Sequence, residues 1–315
     1  MPETRFYLGV DLGGTKTAVT LWRHSQDVAQ DVPLLLAKRL WSTLPDGPNA
    51  NIARIVSEGQ SLLSSADAVD LAAVGISGGG PVEAASGTIR FIPNLSGWEN
   101  TPIAQPLEAA FGVPAHLEND AKASALAEWL YGAGRGTNNL AFLTCSTGIG
   151  AGLIVDGVLL RGHAHLAGEL GHLEIVRDGR PCGCGRRGCL EAYASGAGIA
   201  GRLAQLRHSD PSLPADAKEV VERAAAGDTF GREFLRETAG YLAIGLAQLI
   251  FCVNPERIVL GTIVVGAGDL ILQPLRELVA ERVWPSLLDG LTILPAGLGI
   301  ELGDYAALAV ASRAG

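Results

Sequence analysis

Residues 6–22 read Phe6-Tyr7-Leu8-Gly9-Val10-Asp11-Leu12-Gly13-Gly14-Thr15-Lys16-Thr17-Ala18-Val19-Thr20-Leu21-Trp22. Residues 6–10 are a short apolar strand, and residues 17–22, rich in β-formers, are a second. Asp11 to Lys16 is therefore expected to be a turn between two strands. Gly13 and Gly14 leave backbone amides free to face an anion, with Lys16 beside them, which makes the turn a phosphate nest. Gly9 to Gly14 followed by Thr15-Lys16 nearly matches a Walker A loop. The final pair is reversed, however, and a strand follows where that motif needs a helix terminus.

The same opening recurs. Leu140 to Thr144 is a strand, Ser146-Thr147-Gly148-Ile149-Gly150 follows it, and Leu153-Ile154-Val155, Asp156-Gly157, Val158-Leu159-Leu160 is a hairpin with the Asp-Gly pair as its turn. Two β-rich units, each opening on a glycine- and threonine-bearing turn, predict a cleft with one phosphate loop on each wall.

A third stretch, Gly168 to Gly196, places His172, Cys182, Cys184 and Cys189 in the spacing H-x9-C-x-C-x4-C. Three thiolates and an imidazole make a closed tetrahedral zinc set, and such a site folds its loop around the metal. Three buried or free cysteines are the plainer alternative, but buried cysteines rarely cluster this way among glycines. Gly183-x-Gly185-x-x-Gly188 matches the dinucleotide fingerprint by letter. It lies between the cysteines with no βαβ unit around it, so that reading is set aside. Glu169 and Glu191 flank the ligands and are held rigidly if the metal is.

At 315 residues the chain is long enough for two lobes. Charged residues total 24 basic and 33 acidic, a net charge of −9 with no basic run, which argues against nucleic acid or an anionic membrane as partner. A small anionic ligand remains compatible, since backbone amides hold phosphate in acidic proteins. The N-terminus has no signal-peptide pattern, and no uncharged apolar run spans a bilayer. Of five cysteines, Cys145 and Cys252 are isolated, which points to a reducing, cytoplasmic compartment.

Further along, the helical period of Ile52, Ile55, Val56, Leu62 and Leu63 follows Pro48, and Leu71 to Ile76 is a buried strand entering the bare loop Ser77-Gly78-Gly79-Gly80-Pro81. Val113 to Leu117 is a strand ending at Glu118-Asn119-Asp120, with an alanine-rich helix over 121–131. A helix over 232–251 carries a core stripe of Leu235, Thr238, Leu242, Gly245, Leu246 and Leu249. Arg257 to Leu260 is a strand ending at Gly261, and 305–313 is a final helix.

With these motifs placed, the chain resembles the ROK family (repressors, open reading frames and kinases) over nearly its whole length. C-x-C-G-x-x-G-C-x-E stands intact from Cys182 to Glu191, E-x-G-H stands at Glu169 to His172, and Asp11 to Lys16 and Thr147 to Gly150 match the two phosphate motifs. Pro93-Asn94-Leu95 with Gly97-Trp98 matches the sugar loop, and Glu118-Asn119-Asp120 carries the catalytic position. The resemblance implies an α/β, actin-like or hexokinase-type (ribonuclease H-like) two-lobed ATPase fold with the ligand cleft between lobes. The smaller lobe is expected at 1–117 plus 303–315 and the larger, with the zinc loop, at 118–302.

It further implies an ATP- and Mg2+-dependent kinase for a hexose, glucose at the 6-hydroxyl as the default, with fructose, mannose, N-acetylglucosamine, N-acetylmannosamine or a cyclitol as alternatives. Asp120 is the expected general base; its alternative is a helix cap for the segment beginning at Ala121. Gly80, Asn94, Asn119, Asp120, Glu169, His172 and Glu191 are expected at the sugar, His172 with one ring nitrogen on zinc and the other toward the sugar. For Glu169 and Glu191 the alternative is that they brace the zinc ligands from behind and do not touch the sugar. Asp11, Gly13, Gly14, Thr15, Lys16, Thr147, Gly148 and Gly261 are expected at ATP and Mg2+, Asp11 through water. A turn aspartate bonding its own backbone is the alternative for Asp11. His163 and His165 are expected to be solvated, and Trp98 to pack its own loop.

The chain departs from the family pattern in three places. Gly261-Thr262-Ile263 stands where a triple glycine is usual, predicting a tighter nucleotide pocket or a different base. Ser77-Gly78-Gly79 replaces an apolar-proline pair, predicting a more mobile sugar-side loop. The chain is expected to open on strand one, without room for the helix-turn-helix of the repressors, which counts against the rival reading of a sugar-sensing regulator. A dimer or tetramer is expected by resemblance.

Overall fold

The computed structural model describes residues 4–25, 32–66, 68, 70–92 and 95–313. The first part of the chain forms β1 (Thr4–Leu12), β2 (Lys16–Ser25), β3 (Leu34–Ser42), α1 (Pro48–Ser65) and β4 (Leu71–Gly78). It continues through β5 (Val82–Glu83), β6 (Thr88–Ile89), β7 (Thr101–Pro102), α2 (Ala104–Phe111), β8 (Ala115–Asn119) and α3 (Asp120–Leu130). Five of these strands make a sheet of order β3-β2-β1-β4-β8, while β5, β6 and β7 make a small separate sheet. Strands β1, β2 and β3 pair antiparallel, and β1, β4 and β8 pair parallel.

The second part forms β9 (Leu140–Cys145), β10 (Ile149–Val155), β11 (Val158–Leu159), α4 (Glu191–Ala194), α5 (Gly196–Arg207), α6 (Ala217–Ala225) and α7 (Thr229–Val253). It ends with β12 (Arg257–Leu260), α8 (Ile263–Ala267), α9 (Asp269–Ala280), α10 (Pro285–Leu288) and β13 (Thr292–Pro295), and α11 (Leu302–Arg313) closes the chain. Its sheet runs β11-β10-β9-β12-β13, with β9, β10 and β11 antiparallel and β9, β12 and β13 parallel. The two sheets thus share one topology, and the duplication expected from residues 6–22 and 140–160 extends to whole five-stranded units.

By packing, the chain divides into two compact units. Unit 1 holds residues 1–135, 161–167 and 300–315, and unit 2 holds 136–160 and 168–299. This division is offset from the expected boundaries at 117/118 and 302/303, chiefly by α3, which packs on α11 in unit 1. Each unit has its own aliphatic core. In unit 1, Leu8, Val10, Val19, Leu21, Val74, Ile76 and Leu117 from the sheet meet Ile52, Ile55 and Leu62 of α1. In unit 2, β9 and β10 pack against the α7 stripe of Leu235, Leu242, Leu246 and Leu249. Trp98 is fully buried in the first core, as expected of a packing residue.

Two local expectations change. Asp11 lies within β1 and not in the turn, because pairing with Ala18 on one side and Ser77 on the other carries the strand to Leu12. Likewise Ser77 and Gly78 are not loop: parallel pairing with β1 and with Glu118 and Asn119 of β8 keeps them in β4, and Ser77 is buried. Strand hydrogen bonds on both sides replace the bare backbone that the glycines suggest.

Candidate functional site

The candidate residues fall into two groups, one in each unit. In unit 1 the β1–β2 turn reduces to Gly13-Gly14-Thr15. The Gly13 amide donates to the Lys16 carbonyl at 3.0 Å, and the Thr43 hydroxyl donates to the Gly13 carbonyl at 2.7 Å. One of the nest amides is therefore used within the turn. Gly14, Thr15 and Lys16 are exposed at its tip.

Asp11 sits just below the turn, where burial raises its carboxyl to about 6. Asp304 and Asp120 add to the rise, while Lys38 and a hydrogen bond from the Ser77 hydroxyl oppose it. Like charges around a half-buried carboxylate disfavour its ionised form. That is the donor set a hydrated divalent cation suits, since a cation reverses the sign of the local field.

At the end of β8, Asn119 is the N-cap of α3. Its Oδ1 accepts from the Ala121 and Lys122 amides at 3.1 and 3.3 Å. Its Nδ2 donates to the Gly80 carbonyl at 2.9 Å and to Asp120 Oδ1 at 3.1 Å, so Gly80, Asn119 and Asp120 are brought together. The capping role considered for Asp120 thus belongs to Asn119. Asp120 is the first helical residue, exposed, with Oδ1 accepting the Ala121 amide at 2.8 Å. The preceding Glu118 is buried and paired with Arg161 at 2.8 Å. Lys122, also buried, donates to the His165 carbonyl at 2.7 Å. His163 is exposed, but His165 is half-buried at φ 57, with Nδ1 lacking a hydrogen-bond partner, so the expectation that both are solvated fails for His165. Asn94 lies outside the described residues.

In unit 2, His172, Cys182, Cys184 and Cys189 present ligand atoms that all lie within 4.8 Å of one another. Cys182 Sγ is 3.7 Å from His172 Nδ1, and Cys184 Sγ is 3.7 Å from Cys189 Sγ. A tetrahedron with metal–sulfur bonds of ~2.3 Å has edges of ~3.7 Å. Two of the six spacings have that length and the rest stay within 4.8 Å, so the donor set suits a tetrahedral ion, with Nδ1 toward the metal. His172 Nε2 is left 4.0 Å from Glu169 Oε2. The loop closes through Gly188, at φ 76, where a Cβ would collide with the Val176 carbonyl. Burial pushes the Cys182 thiol up to about 12 and Cys189 upward, while the Arg186 amide lowers Cys184.

Glu191 joins this loop to the second phosphate turn. Its Oε2 accepts the Ile149 amide at 2.9 Å, and its Oε1 lies 3.7 Å from Cys182 Sγ. The amides of Gly196 and Ala197, at the start of α5, donate to the Ser146 and Thr147 carbonyls at 2.6 and 3.1 Å. Thr147 is exposed at the tip of that turn, with Gly148 beside it. Gly261 follows β12, its amide donating to the Leu143 carbonyl at 2.8 Å. Thr262 then adopts φ 49, ψ −102, and its hydroxyl lies 3.4 Å from that of Thr144.

Three residues escaped the sequence reading: Lys38, Ser77 in its role at Asp11, and Asp304. Lys38 Nζ pairs with Asp304 at 2.6 Å. Only the leucine-rich run 34–40 and a lone acidic residue before an apolar helix signal them, and neither has motif spacing.

A five-stranded sheet of order 3-2-1-4-5 built twice in one chain is the actin-like arrangement of the two-lobed sugar kinases. The chain belongs to the ROK family, whose model matches residues 7–313. It is 33% identical to a glucokinase of Thermotoga maritima over 98% of each chain. A ROK hexokinase from Thermus thermophilus superposes with a TM-score of 0.81 at 34% identity, covering 97% of each chain. A ROK glucokinase from Streptomyces griseus, solved with glucose and AMPPNP, gives 0.78 at 30% identity, covering 98% of this chain and 100% of that one. A xylose repressor of Bacillus spizizenii is 34% identical over 67% of this chain and 53% of its own length. Among the described residues no helix is long and apolar enough to cross a membrane.

Proposed function

We infer that this protein is an ATP-dependent sugar kinase that phosphorylates glucose at the 6-hydroxyl. The observation that carries the reading is the division of labour at the head of α3. Asn119 caps the helix and anchors Gly80, so Asp120 presents an exposed carboxylate beside Asp11. Full-length relatives named glucokinase support glucose as the acceptor.

In this reading Asp120 accepts the proton of the sugar hydroxyl as its oxygen attacks the γ-phosphorus, and the bond to the departing ADP breaks. Gly80, Asn94, Asn119, Glu169, His172 and Glu191 hold the sugar hydroxyls, so an analogue lacking one leaves a polar partner unsatisfied. Gly13, Gly14, Thr15, Lys16, Thr147, Gly148 and Gly261 hold ATP. Asp11 would hold a hydrated magnesium ion, which would supply charge neutralisation at the transferring phosphate. His172, Cys182, Cys184 and Cys189 hold structural zinc. A homo-oligomer, dimer or tetramer, and a cytoplasmic location belong to the same reading, supported by family resemblance and the unpaired cysteines.

A coupled assay of ADP release over glucose, fructose, mannose, N-acetylglucosamine, N-acetylmannosamine and a cyclitol, with the phosphorylated product identified, tests it. Glucose 6-phosphate is the expected leading product. Sugar binding without turnover on any acceptor overturns it.

A further inference from the structure

Asp304 is an unusual residue to find where it is. It lies in the first turn of α11, 5% exposed, and its ion-pair partner among the described residues is Lys38, reaching across from β3 at 2.6 Å. Asp304 is buried but Lys38 is exposed, and a pair with one partner in water adds little to stability. Its position gives it another use. The preceding residue, Gly303, packs directly on Asp11, and a Cβ there would collide with Asp11 Oδ2. The backbone of the first turn of α11 thus forms one wall behind the Asp11 carboxylate. On the opposite side Ser77, buried and in register with Asp11 in the sheet, hydrogen-bonds the same carboxylate. Asp120 is the third charged group that faces it.

We propose that Asp304, locked by Lys38, is a positioning residue that pins the first turn of α11 behind Asp11 and so fixes the orientation of its carboxylate. The Lys38–Asp304 pair is the tie between β3 and the start of α11, and Gly303 transmits that tie to Asp11. The rest of α11 is held on β1, β4 and α3 without it, so loss of the pair is expected to loosen the first turn behind Asp11 and leave the helix in place. The proposal rests on the reading that Asp11 serves the cation–nucleotide complex.

The test compares Asp304→Asn, Lys38→Met, Lys38→Arg and Asp11→Asn in the full chain. Two quantities are measured: KM for Mg-ATP and for glucose separately, and Mn2+ affinity by electron paramagnetic resonance with a non-hydrolysable ATP analogue. Asp304→Asn and Lys38→Met are each expected to weaken KM for Mg-ATP and Mn2+ affinity about tenfold, as loss of orientation does. KM for glucose should stay within about twofold and Lys38→Arg should stay near wild type, because charge and reach are kept. If Asp304→Asn does not fold, Lys38→Met carries the test. Wild-type nucleotide and Mn2+ behaviour in folded Asp304→Asn or Lys38→Met, beside a damaged Asp11→Asn, overturns the positioning role alone. Equal losses for sugar and nucleotide also overturn it, as general loosening. An undamaged Asp11→Asn overturns the role of Asp11 itself and the proposal with it.

Discussion

Glu191 Oε2 accepts the backbone amide of Ile149 at 2.9 Å, a side-chain bond that ties the cysteine loop to the second phosphate turn. Gly148 is the residue that lets the carboxylate in, since a Cβ there would lie 2.5 Å from the same oxygen. Gly148→Ala is therefore expected to push Glu191 aside and remove a charge-assisted hydrogen bond. Loss of such a bond is worth about 2 kcal/mol, enough to raise KM for glucose about tenfold although the substitution is made in a phosphate loop. Initial rates with each substrate varied would check it. An increase confined to KM for ATP would show that Glu191 does not reach the sugar.

The 3.7 Å sulfur–sulfur and sulfur–nitrogen spacings already match a tetrahedral ion, so zinc is expected at one atom per chain. Without a cation, burial favours the protonated form of Cys182 and Cys189, and the four metal bonds that would join His172 to Cys182, Cys184 and Cys189 are lost. Chelation should lower the melting temperature and weaken glucose binding together, because Glu169, His172 and Glu191 hang on the same loop. Elemental analysis and calorimetry before and after chelation are the measurements. Unchanged glucose affinity in the zinc-free protein would separate the metal from the sugar site.

Because Asn119 caps α3, the neighbouring carboxylate can be changed with little structural cost. Asp120→Asn is expected to keep the melting temperature and sugar affinity while kcat falls by roughly 10²- to 10⁴-fold, the range of a lost general base. Asn119→Ala should do the reverse in stability, costing about 1 kcal/mol for the cap, and should also release Gly80. Equilibrium unfolding and kcat for both variants decide the matter. A stability loss in Asp120→Asn as large as in Asn119→Ala would return the capping role to Asp120.

The contrast between Asn119 and Asp120 shows how far sequence alone reaches. Residue types placed at strand ends and around glycines could be read directly, because Asp11 to Lys16, Thr147 to Gly150 and Cys182 to Glu191 are local patterns with few other physical uses. The duplication was legible for a similar reason: hairpins announce themselves within twenty residues. What stayed hidden depends on long-range pairing. Strand β3 exposes Leu34, Leu36 and Leu40, so its pattern does not mark an inward face, and Lys38 gains its meaning only from Asp304, far along the chain. Ser77 looked like part of a loose glycine loop because the strands that flank it, β1 and β8, are invisible from its own neighbourhood. Which of two adjacent residues caps a helix depends on backbone angles that composition does not encode.

Thr262 holds φ 49, ψ −102, a conformation hostile to a β-branched side chain, at the point where the resemblance leads one to expect glycine. Its 3.4 Å contact with the Thr144 hydroxyl is too long to compensate. Such strain costs on the order of 1–3 kcal/mol, against roughly 0.5–1 kcal/mol for the extra freedom glycine gains in the unfolded chain. Thr262→Gly is therefore expected to stabilise the protein by about 1 kcal/mol net. A urea midpoint that moves upward at constant slope would bear this out; a midpoint that moves downward would mean the threonine is not strained.

Asp11 gives a pH signature that can be read without substrate. Burial first, then Asp304 and Asp120, raise it from 3.8 to about 6, so the folded chain binds a proton that the unfolded chain has already released between those values. Its contribution is present in full below the unfolded value and is lost as pH rises through about 6. Asp11→Asn cannot ionise, so without magnesium or nucleotide it should match wild type near pH 4 and exceed it above pH 7. The difference is on the order of 3 kcal/mol, as expected for a shift of this size. Adding magnesium and an ATP analogue should reverse the order at pH 7, because only the carboxylate gains from the cation. Melting curves of both proteins across pH 4–8, with and without magnesium and the analogue, provide the check. If the variant were no more stable than wild type at pH 7 in the absence of the cation, Asp11 would be an ordinary, unstrained carboxylate.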